Sequence, residues 1–329
     1  MKKHLARLAG IVLLTTYASV GFAQTAPIKL RFGHAHADTD SQHVAALEFA
    51  KKVKERTKGA IEIQVFGNNQ LGNDGAMIAG VRGGTIDMET SGNPFFTGMV
   101  PKLNVFDLPY LFDNAQQAYK ALDSDVGRSL LDELGNHQMK GLAFWEVGFR
   151  SLANNKRAVN QPADIKGLKL RTTPNPAHIK AFQLLGANPQ PMPFGEVFAA
   201  LESGAIDGHE NPPSLMLSSK MYEVQKNLSL TNHAYTALIV VMNKKRFDSL
   251  TPENQKILLE EAASAAKFQR ELNAKGEQAA VDALRAKGMK IVEAPDRAAI
   301  RAIVREPTRQ LFIEKNGDDV LKQIEAIAK

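Results

Sequence analysis

Cysteine is absent from all 329 residues, which excludes a disulfide framework, a thiolate metal site and a cysteine nucleophile. Also missing are the Gly-x-Ser-x-Gly elbow, the His-Glu-x-x-His pair, the phosphate loop and the Gly-x-Gly-x-x-Gly fingerprint. With them go the sequence signatures of the commonest hydrolytic, zinc-dependent and nucleotide-dependent chemistries. The chain has no basic stripe of the kind that nucleic-acid binding needs. Its 41 Lys and Arg against 35 Asp and Glu leave a formal charge of +6. Beyond the N-terminus, no segment reaches the roughly 18 uninterrupted apolar residues of a spanning helix. There is no evident internal repeat, low-complexity linker or long heptad run.

The N-terminus has a basic head, Met1-Lys-Lys-His-Leu-Ala-Arg7, an apolar run from Leu8 to Val20, and small residues in Gly21-Phe-Ala23 before Gln24. This is the pattern of an export signal peptide covering residues 1–23. Without Lys2, Lys3 and Arg7 the basic count falls from 41 to 38 and the charge to +3. About 300 remaining residues can bury a core without disulfides, and chains of this length usually divide into two lobes. The product is expected in the periplasm.

Ile28, Leu30 and Phe32 alternate with polar residues and end at Gly33-His34, a strand opening into a loop. Val44, Leu47, Ala50 and Val53 mark a helix capped by Asp40 or Ser41 and stopped at Gly59; Ile61, Ile63 and Val65 alternate again. Strand, helix, strand begins a parallel α/β sheet. A second helix carries Met77, Ile78 and Val81, and strand-like runs follow at 85–89, 142–147, 168–171 and 237–242. Thr251-Pro252-Glu253 starts a proline-free stretch to Gly288 with an apolar stripe, a helix of some 35 residues and about 50 Å. That is long enough to brace two lobes.

Several polar residues stand at strand ends, where open α/β sheets hold ligands. Arg171 offers a planar fork suited to a carboxylate; the bland alternative is an exposed strand-end arginine. The polar segment Thr172-Thr173-Pro174-Asn175-Pro176 that follows favours the fork. Arg150 ends the aromatic strand Phe144-Trp145-Glu146-Val147-Gly148-Phe149, and its alternative is an ion pair with Glu146 or another acid. Asn211 precedes Pro212-Pro213, which stiffen the turn, and its amide can both donate and accept. Phe194 can pack on a carbon skeleton or belong to the core. Asp207 and Asp87 read as turn or cap residues. His34, His36, Asp38, Asp40 and His43 form a rival zinc constellation, but they lack a defined four-ligand spacing. Without it, hydrogen bonds to ligand hydroxyls are the alternative.

At these residues the chain resembles the extracytoplasmic solute receptors of tripartite ATP-independent periplasmic (TRAP) transporters, the DctP family. The specific pieces are Gly167-Leu-Lys-Leu-Arg171, Pro193-Phe-Gly-Glu-Val-Phe198, Ile206-Asp-Gly-His-Glu-Asn-Pro212 and Glu223-Val-Gln-Lys226. The resemblance implies a type II-like periplasmic binding fold of two α/β lobes with hinge strands and a long bracing helix. It implies a carboxylate held by Arg171, no catalysis, no cofactor, and delivery of a small organic acid to membrane permease subunits, with the receptor monomeric. Lobe I is expected over 24–149 plus about 236–270, and lobe II over 150–235 plus about 285–329. The hinge is at Gly148-Phe149-Arg150, and the brace covers 251–287.

Asp38-Thr-Asp-Ser-Gln42, Leu71-Gly-Asn-Asp-Gly-Ala-Met77 and Val81-Arg-Gly-Gly-Thr-Ile-Asp-Met-Glu89 resemble the six-carbon sugar-acid receptors more than the C4-dicarboxylate ones. Once Arg171 pins one carboxylate, acids such as Glu89, Asp74 or Glu210 at the far end would repel a second but accept from hydroxyls. The expected ligand is a uronate, aldonate or keto-sugar acid, the alternatives being a C4-dicarboxylate and, behind it, a metal. The expected contacts are Arg171, Arg150, Asn211, Phe194, His34, Glu89, Asp74, Gln42, Asn175, His209 and Glu210.

Overall fold

In the computed structural model, which describes residues 26–329, the first alternating run forms β1 (Ile28–His34) with Leu30 and Phe32 fully buried. The export-signal segment lies outside the described residues. Asp40, not Ser41, caps α1 (Ser41–Arg56), its carboxylate accepting from the Gln42 amide. The helix buries Gln42, Ala45, Ala46, Phe49 and Val53, whereas Val44 and Leu47 are exposed. The expected apolar stripe is therefore rotated, because Ala45, Ala46 and Phe49 fit the close packing under β1 and leave two aliphatic residues outside.

β2 (Ile61–Phe66), α2 (Asp74–Gly83) and β3 (Met88–Gly92) complete the first half. α2 buries Met77, Ile78 and Val81 as expected. β3 starts three residues later than its sequence suggests, because Gly84, in the left-handed region, ends α2 and Asp87 accepts from the Arg31 amide at 2.8 Å. Then come α3 (Ala115–Leu122), α4 (Asp125–Asp132) and β4 (Met139–Asn154).

The second half repeats the order with β5 (Lys169–Thr172), α5 (Pro176–Leu184), β6 (Asn188–Pro191), α6 (Val197–Glu202) and β7 (Gly208–Asn211). Next are α7 (Pro213–Ser218), β8 (Asn227–Asn243), α8 (Lys244–Asp248), α9 (Pro252–Ala286), β9 (Lys290–Val292), α10 (Arg297–Asn316) and α11 (Asp319–Ala328). The sheet runs β2-β1-β3-β8-β4-β7-β5-β6, with β9 beside β8. Two β-α-β-α-β units thus flank a central antiparallel pair, β4 and β8.

The absence of a visible repeat is corrected at this level: what repeats is turn chemistry. Gly84-Thr-Ile-Asp87 and Gly204-Ala-Ile-Asp207 each place a glycine at positive φ and an aspartate that receives the amide of the neighbouring strand, Arg31 in one half and Lys169 in the other. By this match Gly33 corresponds to Arg171, and Glu89 to His209.

β4 and β8 are far longer than the apolar runs that revealed them. β8 pairs with β3 through Leu238–Met242 and with β9 through Asn227–Ser229, while β4 meets β7 through Ser151–Asn154. Register shifts interrupt their pairing at Glu146/Gly148 and Arg150/Leu152. α9 lies across both halves: Leu258, Ala262, Ala265 and Ala266 join the core around Phe32 and Trp145, and Leu284 joins that around Val197 and Leu228. α10 packs on α5. α11 does not follow it into the second half as expected, because Leu321, Ile324 and Ala328 bury themselves with Ala118, Leu122 and Leu134 of the first. Among the described residues no helix is long and apolar enough to cross a membrane.

Candidate functional site

β1 and β3 in one half, and β5 and β7 in the other, carry most of the expected contact residues. Arg171, at the end of β5, is buried at 1 % exposure, and its Nε and Nη2 both donate to the Met192 carbonyl at 3.0 and 2.8 Å. No carboxylate among the described residues lies within salt-bridge reach of it. Burial, and then the positive charge of Arg150, lower its pKa to about 10. A buried cation with a single carbonyl acceptor is an unmatched charge.

Beside it, the hydrogen-bond directions follow from what each group can do. Arg150 is donor-only, so Asn211 must turn its oxygen toward Arg150 Nη2, 2.9 Å away. Its amide nitrogen then faces His209 Nδ1 at 3.1 Å, which makes Nδ1 an acceptor and puts the imidazole proton on Nε2. That Nε2 is buried with no partner. Burial, with Arg171 next, holds the His209 pKa at about 3, so the ring is neutral. Thr172 Oγ1, one residue beyond Arg171, is likewise buried and unpartnered. Arg171 and His209, which share a register position across β5 and β7, thus form a donor-rich pole.

Arg150 itself is committed elsewhere. Its Nε and Nη2 donate to the Glu210 carboxylate, Nη2 also to the Glu210 carbonyl at 2.5 Å, and His233 Nε2 lies 3.3 Å from Glu210 Oε2. Burial alone would push the Glu210 carboxyl up, but the adjacent Arg150 guanidinium outweighs it and holds it well below the usual range. The ion-pair reading of Arg150 thus holds, with Glu210 as the acid. One expectation changes: Glu210 belongs to the cationic pole rather than to the far end. Asn175 is also corrected: its oxygen caps α5 through the Ala177 and His178 amides, and its nitrogen donates to Asp107 Oδ2 at 3.1 Å, which leaves it turned into the fold.

The first half supplies an acceptor-rich pole. Glu89 is fully buried; its Oε2 accepts from Ser91 Oγ at 2.6 Å and its Oε1 has no partner. Burial raises its pKa well above the carboxylate range, and Asp74 adds to this against the Ser91 hydrogen bond. Gln42 donates to the Thr90 carbonyl at 3.2 Å and leaves Oε1 unpaired; His34 Nδ1 and Thr90 Oγ1 are also unpaired. His34 is kept neutral, its pKa lowered to about 3 by burial and by His36 and His43. Buried polar atoms normally find partners, so this concentration of orphans marks the place. Thr90, Thr172 and Asn69, each with an unpartnered buried oxygen, were not singled out from the sequence.

The rival histidine cluster is spent on itself. His34 Nε2 lies 3.0 Å from His43 Nδ1, and His36 Nδ1 lies 3.0 Å from Asp40 Oδ1. Among the described residues no group of three or more side chains is placed to hold a metal ion.

The two halves touch across this region. The Phe194 amide donates to Asp74 Oδ2 at 3.2 Å, Asn73 Nδ2 meets Glu196 Oε1 at 3.4 Å, and Ser218 Oγ donates to Asp40 Oδ2 at 2.8 Å. The Phe194 ring lies 5.4 Å from that of His36. A Cβ at Gly195 would come within 2.8 Å of Asn69 Nδ2, so glycine permits the close approach.

Comparison with known proteins agrees with this architecture. The chain is 42% identical over 322 residues to the 2,3-diketo-L-gulonate-binding periplasmic protein YiaO of Escherichia coli K12, covering 97% of this chain and 96% of that one. Among solved structures, the sugar acid binding protein DctPAm of Advenella mimigardefordensis, in complex with galactonate, superposes with a TM-score of 0.88 at 35% identity, covering 92% of this chain and 98% of that one. A TRAP periplasmic solute binding protein of Polaromonas sp. JS666 bound to D-erythronate gives a TM-score of 0.88 at 32% identity, covering 91% and 98%. The family model DctP, bacterial extracellular solute-binding protein, family 7, matches residues 32–315, and the chain belongs to that family as a solute-binding receptor of the TRAP type.

Proposed function

We propose that this receptor captures a polyhydroxy monocarboxylate, a uronate, aldonate or keto-sugar acid, and hands it to membrane permease subunits as a monomer. The observation that carries this is the buried Arg171 guanidinium, without a carboxylate of its own, beside the unpartnered Nε2–H of His209. A ligand carboxylate would give the cation its missing counter-charge in a dry site, where such a pair is strongest. Arg150 acts from behind, through Glu210 and Asn211, to fix the proton on His209.

The opposite pole selects the rest of the ligand. Burial keeps the Glu89 carboxyl protonated, so this pole holds no cation to balance a second carboxylate, while Glu89, Gln42 and His34 offer unsatisfied atoms to hydroxyl groups. This favours a sugar acid over a C4-dicarboxylate, as do the ligands named for the relatives above. Lobe I would comprise the first β-α-β-α-β unit with α3, α4 and α11, and lobe II the second unit with α10. The crossings of β4 and β8 serve as hinge and α9 as brace. Asp74, Phe194, Asn69 and Gly195 lie where the jaws meet.

A thermal-shift screen against uronates, aldonates, keto-sugar acids and C4 diacids tests the ligand class, since a ligand of the folded state alone raises its stability. One group of sugar acids should raise the melting temperature, and succinate should not. Arg171→Ala should weaken that acid by at least about 100-fold, the ~3 kcal/mol of a desolvated charge pair, with an unchanged circular dichroism spectrum. Arg171→Lys should restore charge but not affinity, because one ammonium cannot make the two-point contact. Unchanged binding by Arg171→Ala would overturn the assignment.

A further inference from the structure

A cavity of about 330 Å³ lies between the hinge strands, the segment before α3 and the start of α10. Phe149 lines it, and none of the residues assigned to the cleft does. The aromatic floor is Tyr110, Phe112 and Phe149; the last two rings pack edge-on to Tyr235 at 6.0 and 5.4 Å between centroids. The rim is cationic: Arg297 and Arg301, one turn apart on α10, face a single acid, Asp113, which Arg301 meets at 3.2 Å. Arg297 donates its Nε to the Leu230 carbonyl at 2.7 Å, and its Nη groups meet no acceptor among the described residues.

A second observation points to the same place independently. Tyr110 and Asn232, both lining the cavity, hold φ of 53° and 43°, the left-handed region that non-glycine residues pay to occupy. Both are pinned there: the Tyr110 amide donates to the His233 carbonyl at 2.9 Å, and Asn232 Oδ1 accepts from Ser151 Oγ at 3.0 Å. Backbone strain kept on the floor and wall of one cavity, under two cations opposed by one acid, is the pattern of a built site.

We propose that this cavity is a second binding site, for a small carboxylate with a flat apolar body. The body stacks among the three rings and the carboxylate takes the free Nη donors of Arg297 with the outer edge of Arg301. A polyol acid fits poorly, because the floor offers its hydroxyls almost no partners.

The probe is radiolabelled benzoate in equilibrium dialysis with the full-length mature protein. Wild type and Arg171→Ala are expected to bind one benzoate each with equal affinity, roughly 0.1–1 mM for so small a ligand. The double variant R297A/R301A should bind at least about 10-fold more weakly. Ala298→Trp, which fills the cavity and keeps both arginines, should do the same even if the double variant folds poorly. Both cavity variants should bind the cleft's sugar acid as wild type does, so a failure here leaves the cleft assignment standing. Loss of benzoate binding in R171A with retention in Ala298→Trp would place benzoate in the cleft and overturn the proposal, as would no saturable binding to wild type.

Discussion

Single side chains set the chemistry of the cleft by what they are unable to do. Arg150 cannot accept a hydrogen bond, and from that one fact the orientation of Asn211 and the tautomer of His209 follow. Asp107 shows the same economy beneath the cleft. Its Oδ2 accepts from Asn93 Nδ2 at 2.5 Å and from Asn175 Nδ2 at 3.1 Å, and its Oδ1 accepts from Thr236 Oγ1 at 3.3 Å. It thereby ties the segment after β3 to α5 and to β8. Burial nevertheless raises its pKa from 3.8 to about 7, against those hydrogen bonds and the nearby Arg150. A raised folded-state pKa means that the native protein holds the proton longer. The stability contributed by this group is complete below pH 4 and is lost as pH climbs through 7. Asp107→Asn, which keeps the shape and removes the titration, should therefore gain on wild type by about 1.4 kcal/mol per pH unit between pH 4 and 7. Urea unfolding of both proteins across that range measures it, and parallel pH profiles would contradict a protonated native Asp107. Arg171 was legible in the sequence because a strand end, a basic residue and a turn signal coincide. Asp107 was not, since nothing local marks an aspartate as the meeting point of three distant segments.

Elements form where the sequence asks, but their lengths and faces are settled by neighbours. The helix signals at Thr251-Pro252 and Gly288 gave α9 almost to the residue, because caps are local chemistry. The core-facing side of α1 was misjudged, because alanines pack closer than larger aliphatic residues and periodicity alone does not say which stripe the partner accepts. β4 and β8 outran their apolar runs because polar residues such as Arg150, Ser151 and Asn154 are paired inside the sheet. The irregularity in β4 at Glu146/Gly148 also has a counterpart in α9. There Gln269, fully buried, accepts from the Glu146 amide at 2.9 Å and donates to the Glu146 carbonyl at 3.0 Å, restoring both bonds at the register break. Gln269→Leu fills the same space and leaves two buried backbone groups unpaired, at about 1–3 kcal/mol each. The variant should unfold with a loss of about 2–6 kcal/mol in urea, whereas Gln278→Leu, on the exposed side of the same helix, should stay within about 0.5 kcal/mol of wild type.

At the scale of the molecule, two similar units face each other across a pair of continuous strands, with a cationic pole on one and a pole of neutral polar groups on the other. The near-symmetry makes the contrast legible: where the first half has Gly33 and Glu89, the second has Arg171 and His209. In the proposed mechanism, closure would bring the two poles to the two ends of one ligand, and a ligand shifts the open and closed populations only by the contacts it gains in the closed form. The jaw contact at Asn69 and Gly195 allows this to be tested directly. Asn69 Cγ lies 3.0 Å from where a Cβ on residue 195 would stand, so the two Cβ atoms are at most about 4.5 Å apart, within disulfide range. Because the native chain has no cysteine, the double variant N69C/G195C can form only that bridge within one molecule. Oxidised while empty, it should fail to bind the sugar acid; oxidised with ligand present, it should retain the ligand through dialysis and release it on reduction. If the empty oxidised protein bound as readily as the reduced one, entry would not require these jaws to part, and the clamshell account of this receptor would have to be abandoned.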